Sequence, residues 1–223
     1  MKWFLSLFAA SAFAGPTIPA GPLAISPESR ELIVEFETGG KSYYNARLQR
    51  PTWPGGASGV TVGIGYDIGY NTRKAVLSDW SALPEGTRPA LASAAGVKGV
   101  AAKPRASALR WIIVPWTVAE TLFISNTMPR FASMTASAFP GILKTHPHVQ
   151  GAMLSIVFNR GSSMTGTSRT EMRSIRSSIT AGNIRPVPGQ IRAMKRLWIG
   201  KGLPGLLRRR DAEAALIERA LTP

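Results

Sequence analysis

The chain holds only twelve carboxylates, and four of them, Glu28, Glu31, Glu35 and Glu37, fall in one stretch, "SPESRELIVEFETGG". On a helix, at about 100° per residue, Glu35 falls beside Glu28 and Glu31 on an acidic side, whereas Glu37 falls between Ile33 and Val34. A carboxylic acid held against apolar groups has its neutral form favoured, which is what a general acid needs near neutral pH. Gly39 and Gly40 follow at once, so Glu37 is expected at the helix C-terminus, where the macrodipole also disfavours a negative charge. The same spacing fits a solvated residue at the end of an amphipathic helix. Glu31 and Glu35 read as an ordinary polar face.

A second stretch, "GVTVGIGYDIGY" at 59–70, places Val60, Val62, Ile64 and Tyr66 on one face of a strand and Thr61, Gly63, Gly65 and Asp67 on the other. That second face is a smooth floor suited to a flat ligand such as a sugar ring, with a hydroxyl at one end and a carboxylate at the other. Six fully extended residues span ~20 Å, too far for Thr61 and Asp67 to address one atom. The chain must therefore bend or turn near Gly65, or only one of the two is catalytic. A glycine-rich hairpin in which Asp67 caps the turn is the structural alternative.

The elements that must position these residues follow from periodicity and punctuation. "SPESRELIVEFETGG" reads as a helix capped by Ser26, with Pro27 in the first turn and a glycine stop. Residues 15–25, rich in Pro and Gly, read as an extended lead-in. From Lys41 to Tyr66, aromatic and β-branched residues interrupted by "PTWPGGASG" predict a small sheet with a long turn. The remainder is mainly helical. "TVAETLFISNTMPRFASMTASAF" opens with capping-box spacing at Thr117 and Glu120, and "HVQGAMLSIVFNRG" carries an apolar stripe ending at Gly161. Further helices are predicted over 169–181, 187–198 and 204–221, with "AGVKGVAAKPRAS" as a flexible connection. The expected class is α+β: a single, mostly helical domain over 26–223 with a small antiparallel β element after its first helix.

Composition narrows the function. Lys and Arg total 27 against 12 acids, a formal +15, which favours polyanionic partners. The absence of cysteine removes disulfides and thiolate metal sites, and the only two histidines, His146 and His148, are too few for an ordinary zinc site. No metal and no cofactor are expected, and the histidines read as a loop and helix start. The first residues, "MKWFLSLFAASAFAGP", have the layout of a secretory signal over residues 1–14 or of a releasable signal-anchor making transient membrane contact. Export to the periplasm or the medium follows on either reading. The basic residues are spread rather than interleaved with aromatics, which disfavours nucleic acid.

Taken in order, "IVEFETGGKSYY", "GVTVGIGYDIGY", "AMLSIVFNRG" and "GLPGLLRRRDAEAAL" resemble the successive signatures of phage-type lysozymes, which cleave peptidoglycan. The commoner members carry an aspartate between the catalytic glutamate and the threonine, and here no acid lies between Glu37 and Thr61. The pesticin-like muramidase branch instead has its aspartate six residues after the threonine, as Asp67 follows Thr61. The resemblance implies a lysozyme-like fold and gives Glu37 the general acid role, Thr61 the holding of the attacking water, and Asp67 the partner carboxylate.

Glycosidic cleavage calls for an acid to protonate the leaving oxygen and a second carboxylate to align water or attack the sugar. Glu37 and Asp67 are the pair the sequence offers, and a hydroxyl such as Thr61 suits water orientation. Gly63, Gly65, Tyr66 and Asn159 complete the expected substrate-binding set, with Asn159 and Arg160 either lining the cleft or capping their helix. The expected activity is hydrolysis of the β-1,4 bond between N-acetylmuramic acid and N-acetylglucosamine by a monomer drawn to anionic envelope polymers. A lytic transglycosylase using Glu37 alone and a non-enzymatic, cationic envelope-binding or permeabilising protein are the alternatives. Arg208, Arg209 and Arg210 read either as part of the polymer-attracting charge or as a solvated helix face beside Asp211 and Glu213.

Overall fold

The computed structural model describes residues 16–222, so the expected signal segment at 1–14 lies outside the described residues. The architecture is α+β, mostly helical, with two small antiparallel sheets of two strands each among the described residues. Strands β1 (Ile18–Ala20) and β2 (Leu23–Ile25) pair with Ile18 opposite Ile25. The lead-in is thus a hairpin. It buries Ala20, Leu23 and Ile25, and the amide of Ala24 donates to Gln150 Oε1 at 2.9 Å.

Helix α1 (Pro27–Thr38) begins and ends where the sequence predicts. The Ser26 hydroxyl accepts from the amide of Ser29 at 3.2 Å, an N-cap worth about 1 kcal/mol, and Gly39 closes the helix in the left-handed conformation. Beyond it the expected sheet gives way to helix: α2 (Gly40–Tyr43) runs into a π-helical turn over Tyr44–Leu48. The β preference of the tyrosine pair is overridden by burial of Tyr44, whose hydroxyl donates to the carbonyl of Val114 at 3.0 Å and whose ring meets Trp116 edge-on.

The second sheet is a short hairpin, β3 (Thr61–Val62) with β4 (Tyr66–Asp67). Helices α3 (Arg73–Asp79), α4 (Thr87–Ala92) and α5 (Ala102–Ala108) follow. The last of these lies in the predicted flexible connection, and Ala102 and Ala106, one turn apart, bury its inner face. Helix α6 (Trp116–Leu122) continues through a π turn at Phe123–Thr127 into α7 (Met128–Ala138). The predicted capping box does not form, because Pro115 occupies the N-cap. Glu120 pairs instead with Arg30 of α1 at 3.3 Å.

Helix α8 (Pro147–Arg160) is the centre of the molecule. Every residue from Val149 to Val157 is buried, so the predicted stripe is in fact apolar nearly all round, as a helix enclosed by neighbours must be. It packs on β2, α1, α7 and α11. The approach of α1 depends on Gly151: a Cβ there would sit 2.0 Å from Ser29 Oγ. Helices α9 (Thr170–Thr180) and α11 (Pro204–Arg219) match the predicted segments 169–181 and 204–221, whereas the predicted 187–198 helix is α10 (Val187–Ala193) followed by a 3-10 turn over Met194–Leu197.

The two histidines join the starts of α8 and α1. His146 Nδ1 accepts from the amide of His148 at 3.1 Å, and His148 Nδ1 lies 2.7 Å from Ser26 Oγ. Burial lowers the pKa of both rings below the ordinary histidine value, and for His148 the neighbouring ring adds to it. The unfolded chain therefore binds more protons just below that value. Their contribution to stability is whole above it and is lost as the pH falls toward the depressed folded values. Denaturant midpoints at about pH 7.5 and about pH 5.5 should show an acid-side loss in the wild type that shrinks in the H146N/H148Q variant.

Candidate active site

Glu37 sits in the last turn of α1 with a fifth of its side chain exposed, and its partner is ionic rather than an apolar wall. Arg209 of α11 donates from Nη1 to Glu37 Oε1 at 2.6 Å, and its guanidinium lies over the Phe36 ring. Oε2 of Glu37 makes no hydrogen bond to a described residue. The carboxylate is therefore anchored through one oxygen and free at the other. It borders a cavity of about 370 Å³ shared with Asn159 and the Leu203–Leu206 turn.

Arg209 is itself fixed from behind. Its Nε and Nη2 donate to Ser155 Oγ at 3.1 and 3.0 Å, Nη2 reaches the Ser155 carbonyl at 3.1 Å, and Nε lies 3.3 Å from Glu213 Oε1. Glu213 also accepts from Ser155 Oγ and from Arg210 Nη2, both at 2.6 Å. Arg209, Arg210 and Glu213 are 3%, 0% and 0% exposed, which corrects the reading of this stretch as a solvated face; only Arg208 of the three arginines is exposed. The i,i+4 and i,i+3 spacings put both guanidiniums on the side of α11 that carries Glu213. Sequence reading missed Arg209, Glu213 and Ser155 as members of the site. The available signal was Ser155, a polar residue inside "AMLSIVF", because a hydroxyl on a fully buried helix needs a buried partner.

The glycine stretch resolves differently from a straight strand. The chain reverses over Gly63, Ile64 and Gly65, with both glycines at positive φ, and Thr61 becomes the direct cross-strand partner of Asp67. The ~20 Å separation thereby collapses to that of an antiparallel pair, with Cβ atoms about 5 Å apart. Gly63 is buried and cannot serve as a ligand floor, since a Cβ on it would meet Trp80 at 2.6 Å. Gly65 is exposed with open space around it.

Asp67 is a cap as well as a candidate acid. Gly59 donates its amide to both carboxylate oxygens, at 3.1 and 3.0 Å, and Gly69 donates to Oδ1 at 2.9 Å. Both glycines are needed, for a Cβ on Gly59 would fall 2.5 Å from Asp67 Oδ1 and one on Gly69 would fall 2.7 Å from Gly59 Cα. These contacts leave lone-pair capacity on Oδ2. Tyr66 is a core residue, stacked edge-on against Trp80 and donating to Asp79 at 2.7 Å; burial, with Asp79 adding to it, pushes its phenol far above the usual range.

Glu37 and Asn159 thus share one cavity, while Gly65, Tyr66 and Asp67 border a second, smaller one of about 170 Å³ with Asn126 and Arg130. Among the described residues no three His, Asp or Glu side chains gather as metal ligands. Removing Glu213 takes from buried Arg210 the carboxylate it pairs with and leaves Arg209 with Glu37 alone, which costs about 3–5 kcal/mol. Glu213→Ala should lower the denaturation free energy by that order, against a change within about 0.5 kcal/mol for the exposed Glu31→Ala. Compared with models of known protein families the chain matches none, and no curated protein matches it either.

Proposed function

We propose that the chain is an exported peptidoglycan hydrolase, a muramidase acting as a monomer and without a cofactor, in which Glu37 is the general acid. The observation that carries the reading is the setting of Glu37. One oxygen is pinned by a buried arginine and the other is free beside a cavity that Asn159 also lines. A fixed carboxyl with one open oxygen is the arrangement needed to hand a proton to a glycosidic oxygen in a defined direction. The resemblance of "FETGG", "GVTVGIGYD", "VFNRG" and "RRRDAE" to phage-type lysozymes, in that order, points the same way, and the pesticin-like branch accounts for the place of Asp67.

In this reading Glu37 protonates the leaving oxygen as the bond from N-acetylmuramic acid to N-acetylglucosamine opens. Thr61 and Asp67, paired across the hairpin, hold one water between the hydroxyl and Asp67 Oδ2. The formal +15 draws the protein to glycan strands whose peptide stems carry carboxylates. A specific observation favours the transglycosylase as second reading: Asp67 is committed to backbone amides and borders a different cavity from Glu37.

Glu37→Gln should lower lysis of purified cell walls about 10²- to 10⁴-fold, the usual weight of a general acid, while the protein stays folded with a lowered thermal midpoint, because Arg209 loses one of its two carboxylate partners. Full activity in that variant removes the proposal. Asp67→Asn, which keeps an acceptor oxygen for the glycine amides, separates the two enzymes: a hydrolase loses most of its rate, and a transglycosylase keeps it.

A further inference from the structure

A third cavity adjoins that of Glu37. It measures about 400 Å³ and shares Asn159 as a common wall; Arg160, Ser168, Arg169, Trp198 and Lys201 border it as well. Three of these side chains are cations, and none of its lining residues is acidic.

The charges are not neutralised from elsewhere. Arg160, Arg169 and Lys201 form no salt bridge among the described residues, and Arg160 Nε is buried without a hydrogen-bond partner. The two carboxylates that act on Arg160 from behind are already engaged, Glu171 by Arg196 and Glu213 by Arg209 and Arg210. Burial, with the neighbouring Arg169 and Arg210 adding to it, pulls the Arg160 guanidinium down to about 10.

The walls are also held in place. Arg160 stacks over Trp198, with its centre 4.9 Å from the ring, and Arg169 donates to the Arg160 carbonyl and to Met172 Sδ. Lys201 is exposed at the rim. A preformed concavity with uncompensated positive charge and an aromatic wall is suited to a carboxylate on a short flexible chain.

We infer that this cavity is a subsite for the carboxylates of the peptide stem, so that the protein engages the stem on the same strand whose glycan enters beside Glu37. The inference rests on the muramidase reading for its substrate, and the shared wall at Asn159 supplies the connection. A site adjoining the cut fits a substituent of the strand being cut better than a detached polymer.

The test begins with binding, which needs no cleavage. A soluble stem pentapeptide is titrated into the full chain and followed by calorimetry, alongside its fully amidated form. The wild type should bind the carboxylate form about tenfold more tightly than the amide form. Arg169→Gln and the milder Lys201→Gln, which alters an exposed residue with no ion pair, should each remove most of that difference. Equal binding of the two forms overturns the site. So does an equal loss on Lys74→Gln, an exposed lysine outside the cavity, since that would assign the effect to net charge. Turnover of stem-bearing glycan and of glycan stripped of stems by an amidase is then compared, and the wild-type preference should fall toward one in both variants. A chain that binds the stem selectively but cuts neither glycan sinks the muramidase reading while leaving the subsite standing.

Discussion

The molecule turns on Arg209, a buried cation that joins three helices. Its guanidinium spans from Glu37 at the end of α1 to Ser155 inside α8 and Glu213 on α11. A lone charge so enclosed would be unsustainable, and the cost of leaving one unpaired, about 3–5 kcal/mol, is a large share of a domain's net stability. The two arginines and two glutamates of the cluster therefore hold one another in register. Because Ser155 and Glu213 take Nε and Nη2, Arg209 has one N–H, on Nη1, directed at Glu37 Oε1, and the second oxygen of the glutamate makes no hydrogen bond to a described residue. The same interaction that closes the core leaves the candidate acid half satisfied.

The hairpin shows a parallel economy. Gly59 and Gly69 approach so closely that their amides seat the Asp67 carboxylate, and the turn over Gly63 and Gly65 brings Thr61 alongside it. Asp67 thus fixes the loop that presents it. Of the four glycines, only Gly65 is open to solvent; the others serve the backbone and Trp80.

The legible parts of the sequence were those governed by local rules. Ser26, Pro27 and Gly39 bound α1 as capping chemistry requires, and the glycines that follow Glu37 placed it at the end of that helix. The C-terminal helices were legible from periodicity alone. Residues decided by tertiary contact were not. Tyr43 and Tyr44 have strand preferences, but the core claims Tyr44 and keeps the chain helical. "RRRDAE" has the composition of a surface, yet Arg209, Arg210 and Glu213 are buried because their charges cancel against one another and against Glu37 of α1, and the pairing with α1 is something no local pattern reports. The face of Thr61 and Asp67 was legible as alternation, yet the two meet only through the turn. The apolar company deduced for Glu37 omitted Arg209, which lies 172 residues away in the chain.

The central claim is that Glu37 drives hydrolysis of the glycan strand, and mass analysis of the fragments released from purified peptidoglycan tests it most directly. Fragments ending in N-acetylmuramic acid with a free reducing end, carrying one added water and absent with Glu37→Gln, are the predicted result. Anhydro ends would contradict hydrolysis in favour of the transglycosylase, and an unchanged yield with Glu37→Gln would contradict the role of Glu37 itself.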